Sequence, residues 1–122
     1  MERIIKVGEY KFPAKSTAAS LISYKSNFGR DGLMDVFSLA KSFKSDKNGN
    51  LDVDNINMEG FNIDVFFRFL WVFAKASDKT IPPLEQWLER FEMPPFDFAS
   101  EALPQVADLL GTTVKGSVQP KK

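Results

Sequence analysis

The sequence predicts a mainly α domain of about five helices with a short N-terminal β-hairpin, and three observations lead there. Apolar residues recur at helical spacing in segments set apart by glycine and proline. The stretch Phe61 to Lys75, FNIDVFFRFLWVFAK, is apolar almost all the way round. Residues 4 to 12 alternate weakly, in the manner of strands. With 122 residues, the chain is long enough for one ordinary domain and too short for two.

Each element has its own local reason. Ile5 and Val7 precede Gly8-Glu9, and Tyr10 and Phe12 follow it, which fits a two-residue type II′ turn. A lone hairpin is marginal in water, so this one is expected to lie on the helices, ending at Pro13. Ser16 is the expected cap of a helix running to about Asn27, with Ala18, Leu21 and Ile22 on its apolar side and Gly29 as its stop. Asp31 is the expected cap of a second helix whose apolar stripe is Leu33, Val36, Phe37 and Ala40. Phe28-Gly29-Arg30-Asp31 is then a tight corner between two helices.

Residues 44–60 are polar and rich in Asn, Asp and Gly, and read as a long mobile loop. The aromatic helix follows, to about Ser77. At 100° per residue its charges Asp64, Arg68 and Lys75 share one narrow stripe, with Trp71 at the stripe's edge. Other elements must surround the remainder of this helix. Pro82-Pro83 opens a fourth helix with Leu84, Trp87, Leu88 and Phe91 at i, i+3, i+4 and i+7. Glu85, Gln86, Glu89 and Arg90 face the other way as a solvated side. The last helix follows Pro94-Pro95, should be split or kinked by Pro104, and should end at Gly111. The folded unit is thus residues 1–111, and the polar remainder 112–122 is expected to be disordered.

Composition removes several kinds of chemistry. There is no cysteine, which excludes disulfides, thiolate chemistry and sulfur-ligated zinc. There is no histidine, which removes the commonest general base and most transition-metal sites. The expectation is a protein that is not an enzyme and uses no cofactor. Sixteen basic and sixteen acidic side chains leave no net charge, whereas a duplex-binding module carries a basic face. The first residues do not form a signal peptide, and the apolar run of the third helix is too short for a membrane span and is interrupted by Arg68. Neither nucleic acid nor membrane is therefore expected as a partner.

One loop imitates a calcium site. Asp46, Asn48 and Asn50 fall at the first three ligand positions of an EF-hand counted over residues 46–57, with Asp52 following. The sharp turn needs glycine at the sixth position, where Leu51 stands, and the twelfth should be a bidentate glutamate, where Asn57 stands. Both departures strike parts that the geometry depends on, so no metal site is expected. A calcium-responsive binding module remains one alternative. A small DNA-binding regulator using the corner of residues 16–43 as a helix-turn-helix is another.

The aromatics are what remains. Phe66, Phe67, Leu70, Trp87, Leu88 and Phe91 read as core. Trp71 differs because charges flank it on the helical wheel, so either the hairpin covers it or a second chain does. Asp64 and Arg68 are spaced for an i,i+4 ion pair worth a few tenths of a kcal/mol.

The co-linear pieces VGEYKFPAKS, SYKSNFGRD, FRFLWVFAKASD and IPPLEQWLERFE resemble the tail assembly chaperones of siphophages and prophages of Gram-positive bacteria. The matching residues include Tyr24, the Phe28–Asp31 corner, Leu70-Trp71, Ala74-Lys75 and Trp87-Leu88, over about residues 5 to 92. The resemblance implies a small, mainly helical, non-catalytic protein of the bacterial host cytoplasm. It implies binding to the tape measure protein, recruitment of tail tube protein and self-association as a homo-oligomer or spiral. The family supplies no catalytic set. The residues expected to meet partners are Trp71, Arg68 and Lys75 of the stripe and Phe28, Arg30 and Asp31 of the corner.

Overall fold

In the computed structural model, which describes residues 1–40, 43–45, 51–56 and 61–115, the chain runs β1 (Glu2–Val7), β2 (Tyr10–Lys15), α1 (Ser20–Phe28), α2 (Gly32–Ala40), β3 (Phe43–Ser45), β4 (Leu51–Ile56), α3 (Ile63–Ser77), α4 (Leu84–Glu89) and α5 (Pro95–Lys115). Five helices and an N-terminal two-stranded hairpin make it mainly α, as the sequence predicts.

The hairpin pairs Val7 with Tyr10 across Gly8-Glu9, and Gly8 takes the positive φ of 59° that a two-residue turn needs at its first central position. One face is buried: Ile5, Val7 and Ala14 are fully covered, Phe12 meets Trp87 edge-on, and Tyr10 meets Phe91 edge-on. The outer edge of β1 is covered by α5. On β1 the Lys6 N–H donates to Gln105 Oε1 (2.7 Å), and Gln105 Nε2 donates back to the Lys6 carbonyl (2.6 Å). The Gly8 N–H donates to Glu101 Oε1 at 2.8 Å, and Arg3 pairs with Asp108. Side chains of α5 therefore stand in for a third strand. On β2, Pro13 lies across from Ile4 and has no N–H to offer another chain.

α3 is the central element, packed against β2, α1, α5, α2 and α4. Asn62 caps it by accepting from the Val65 N–H (3.2 Å), and Val65, Phe66, Phe69, Leu70, Trp71, Val72, Phe73 and Ala74 are buried. α4 closes one end of the core with Trp87, followed by Phe91. α5 adds Phe98, Ala99, Ala102, Leu103, Val106, Leu109 and Leu110 along one side.

Several boundaries differ from the expectation. α1 begins at Ser20, not behind a Ser16 cap. The Ser16 N–H donates to the Met1 carbonyl and so extends the hairpin, while Thr17 and Ser20 exchange hydrogen bonds in the first turn. Within the expected loop 44–60, the described residues of β3 and β4 pair antiparallel, with a bulge between Phe43 and Lys44. The alternation Leu51-Asp52-Val53-Asp54 is a strand signal that the Asn/Asp composition obscures. α5 is continuous through Pro104. Ser100, whose carbonyl loses its partner there, and Pro104 itself both lie on the solvent side, where water can serve the freed acceptor. Helix also continues past Gly111 to Lys115, since one helical glycine costs only about 1 kcal/mol against the burial of Leu109 and Leu110. Residues 116–122 of the expected tail lie outside the described residues.

Two glycines give opposite predictions. Gly29 caps α1 at φ 69° and donates to the Lys25 carbonyl, so Gly29→Ala should cost about 1 kcal/mol in urea unfolding. Gly111 is helical, and the space that an alanine methyl group would take up is open, so Gly111→Ala should raise stability by about 0.5–1 kcal/mol.

Candidate functional site at the corner of α1 and α2

α2 is built with an unusual polarity. Its sequence, GLMDVFSLA, has one charge, Asp35, and that carboxylate points inward and is 5% exposed. Its inward row is Gly32, Asp35, Val36 and Leu39. Leu33, Met34 and Phe37 face outward, at 39, 64 and 48% exposure. The expected stripe Leu33–Val36–Phe37 is therefore turned so that half of it meets solvent. Ile22 of α1, also expected inside, is 70% exposed.

A hydrogen-bond network fixes that rotation. Tyr24, fully buried on α1, donates its hydroxyl to Asp35 Oδ2 at 2.6 Å. Arg30 at the corner donates Nε and Nη2 to the two Asp35 oxygens, at 2.7 and 2.8 Å, in the fork geometry that suits a carboxylate. Arg68 of α3 donates Nε to the Tyr24 hydroxyl at 2.9 Å, with Nη2 4.0 Å from Asp35. The Tyr24 ring stacks on Phe69 with centroids 4.3 Å apart. Three helices are thus joined through one carboxylate. Gly32 allows the close approach, because a Cβ there would stand 2.9 Å from Leu21 Cδ2 and 3.4 Å from Tyr24 Cβ.

Of the six residues expected to meet partners, Phe28, Trp71 and Lys75 lie together, while Arg30, Arg68 and Asp31 turn to Asp35, Tyr24 and the first turn of α2. Phe28 lies edge-on to Trp71, with centroids 5.5 Å apart. Trp71 is 4% exposed and donates its Nε1–H to the Pro82 carbonyl at 2.8 Å. It is covered within the chain, with Phe28 and the Pro82 carbonyl of the segment before α4 as its partners. Lys75 donates to the Ile81 carbonyl (2.7 Å), with its ammonium 5.7 Å from the Trp71 ring. Arg68 turns to Tyr24 rather than to Asp64. Asp31 caps α2, its Oδ1 accepting from the Leu33 and Met34 N–H groups. What sequence reasoning misses is Asp35 as anchor and Ile22, Leu33, Met34 and Phe37 as surface. A lone carboxylate within an otherwise uncharged, mostly apolar nine-residue helix is the signal that could have found them.

The network has a pH signature. The paired Arg30 hydrogen bonds, opposed by burial and helped by Tyr24, hold the Asp35 carboxyl below its ordinary range. Burial first, and then the bond to Asp35, pushes the Tyr24 hydroxyl up to about 12. The Asp35 contribution to stability is present above its unfolded pKa of about 4 and is lost as pH falls through the lower folded value. The Tyr24 contribution is present below its unfolded pKa of about 10 and is lost as pH rises towards 12. Urea midpoints measured across pH should therefore fall at both ends, and Tyr24→Phe should remove its share of the alkaline fall.

Beside the network, the outer sides of α1 and α2 form a shallow groove of about 250 Å³ lined by Leu21, Ile22, Lys25, Asp31, Gly32 and Leu33. Among the described residues no three acidic side chains converge as a metal site, and no helix is long and apolar enough to cross a membrane. Asp46, Asn48 and Asn50 of the calcium lookalike lie outside the described residues, and Asp52 enters only as backbone of β4. No protein-family model, curated protein or solved structure matches the chain.

Proposed function

We propose that this chain is a non-catalytic tail assembly chaperone that binds the tape measure protein, recruits tail tube subunits and self-associates, acting in the host cytoplasm. The observation that carries the reading is α2, which buries its only charge and presents Leu33, Met34 and Phe37 to solvent. Burial alone would favour the reverse rotation, so the apolar outer face asks for a use in binding. The resemblance over residues 5 to 92 supplies the partner's identity. The same face argues against a helix-turn-helix regulator, because a recognition helix needs polar and basic side chains where α2 has apolar ones.

Co-expression with the tape measure protein of the same gene cluster, followed by pull-down and sizing, tests the proposal. The expected result is a soluble stoichiometric complex. A tape measure protein that stays insoluble, beside a chain that elutes as a lone monomer, would sink it. Calorimetry with calcium tests the alternative module, and no heat at millimolar ion removes it.

A further inference from the structure

Resting on the self-association in that reading, we infer that the outer face of α1 and α2 is where two copies of this chain meet, related by a two-fold axis that passes between Lys25 and Asp31. Charge, apolar area and net charge each select a second copy as the occupant.

The charges on the face complement themselves. Lys25 lines the groove from α1, and Asp31 lines it from the start of α2. Both are exposed and, among the described residues, neither holds an ion pair. Asp31 caps α2 through Oδ1 alone, which leaves Oδ2 for another donor. Arg30 beside it is already paired with Asp35 within the chain. A two-fold axis between Lys25 and Asp31 sets each lysine against the aspartate of the other copy. One face then supplies both halves of two ion pairs.

The apolar area fits as well. Ile22, Leu33, Met34 and Phe37 together expose on the order of 400 Å². An ordinary homodimer contact, with its more apolar composition, takes roughly 500 Å² of apolar surface from each copy. The half-buried Leu21 and the Lys25 stem, both in the groove, supply much of the remainder. With Asp35 turned inward, α2 brings no charge of its own to this face, and depletion of charge is what the centre of such a contact requires. Finally, sixteen basic and sixteen acidic side chains leave the chain neutral, so no net repulsion opposes the approach of two copies.

Sedimentation equilibrium of the purified full chain tests this with wild type, Met34→Glu, Phe37→Glu, Lys25→Glu, Asp31→Lys and Phe96→Glu. The last is a control at another exposed aromatic, on α5. Wild type and Phe96→Glu should be dimers. Met34→Glu and Phe37→Glu should weaken association by about tenfold or more while circular dichroism stays unchanged, as their exposure allows. Lys25→Glu and Asp31→Lys should each weaken it several-fold by setting like charges opposite one another, and an equimolar mixture of the two should recover it. Asp31→Lys also gives up the cap of α2, so circular dichroism accompanies it, and the two apolar variants decide the matter without touching that cap.

A wild-type chain that stays monomeric up to about 0.1 mM overturns the inference and the self-association with it. Capture of the tape measure protein by that monomer would still leave the chaperone reading standing. A dimer undiminished by Met34→Glu and Phe37→Glu moves the contact to another face and overturns the site alone. Variants that dimerise like wild type but no longer capture the tape measure protein give the face to that partner and overturn the inference. A mixture no stronger than its components overturns the two-fold pairing of Lys25 with Asp31.

Discussion

Trp71→Ala is expected to lower stability by about 3–5 kcal/mol, the range for deleting a large buried aromatic. The indole is 4% exposed, lies edge-on to Phe28, and is held by its Nε1–H donation to the Pro82 carbonyl. Removing it opens a void between α3, the end of α1 and the segment before α4, and leaves that carbonyl without its donor. Trp71→Phe keeps most of the packing and loses only the hydrogen bond, so it should cost about 1–2 kcal/mol. Urea unfolding followed by circular dichroism would measure both, with an unchanged slope showing that the unfolded state is not the cause. A Trp71→Ala protein as stable as wild type, yet poor at capturing partner, would return this residue to the surface.

The second large effect is expected at Asp35. Asp35→Ala leaves the buried Tyr24 hydroxyl without its acceptor and Arg30 without its fork, and should cost about 2–4 kcal/mol. Arg30 is half-exposed and regains water, so the buried hydroxyl is the larger part of that loss. Combining Asp35→Ala with Tyr24→Phe separates the two: the double variant should be more stable than the sum of the single losses predicts, with a coupling of about 1–2 kcal/mol. Strict additivity would mean that the hydroxyl does not depend on this carboxylate.

These two residues also show where the sequence is legible and where it is not. Spacing and breakers identify α3, α4, the corner at Gly29 and the first hairpin, because each depends on local backbone preference or on a stripe with an evident inside. Which side of α2 faces the core does not follow from its pattern. Leu33, Met34, Val36, Phe37 and Leu39 occupy nearly every direction, and the choice is made by Tyr24 and Arg68, eleven and 33 residues distant in sequence and adjacent only after folding. The helical wheel misplaces Trp71 for a related reason. It shows charged neighbours, but Arg68 and Lys75 are long enough to bend away and bond to Tyr24 and Ile81, so a stripe of charges need not be a stripe of solvent. Pro104 and Gly111 punctuate by propensity and are overruled by the packing of α5.

The glutamine that completes the first sheet has a consequence for how the chain is made. The backbone groups of Lys6 are satisfied only by a side chain 99 residues later, and Gly8 by one 93 residues later. During synthesis the hairpin leaves the ribosome with an open strand edge and must wait for the 93 to 99 residues that separate it from its α5 partners before that edge is closed. The hairpin is translated well before the helix that finishes it, which makes the nascent chain, more than the folded protein, the state in which this molecule is vulnerable to pairing with the wrong neighbour.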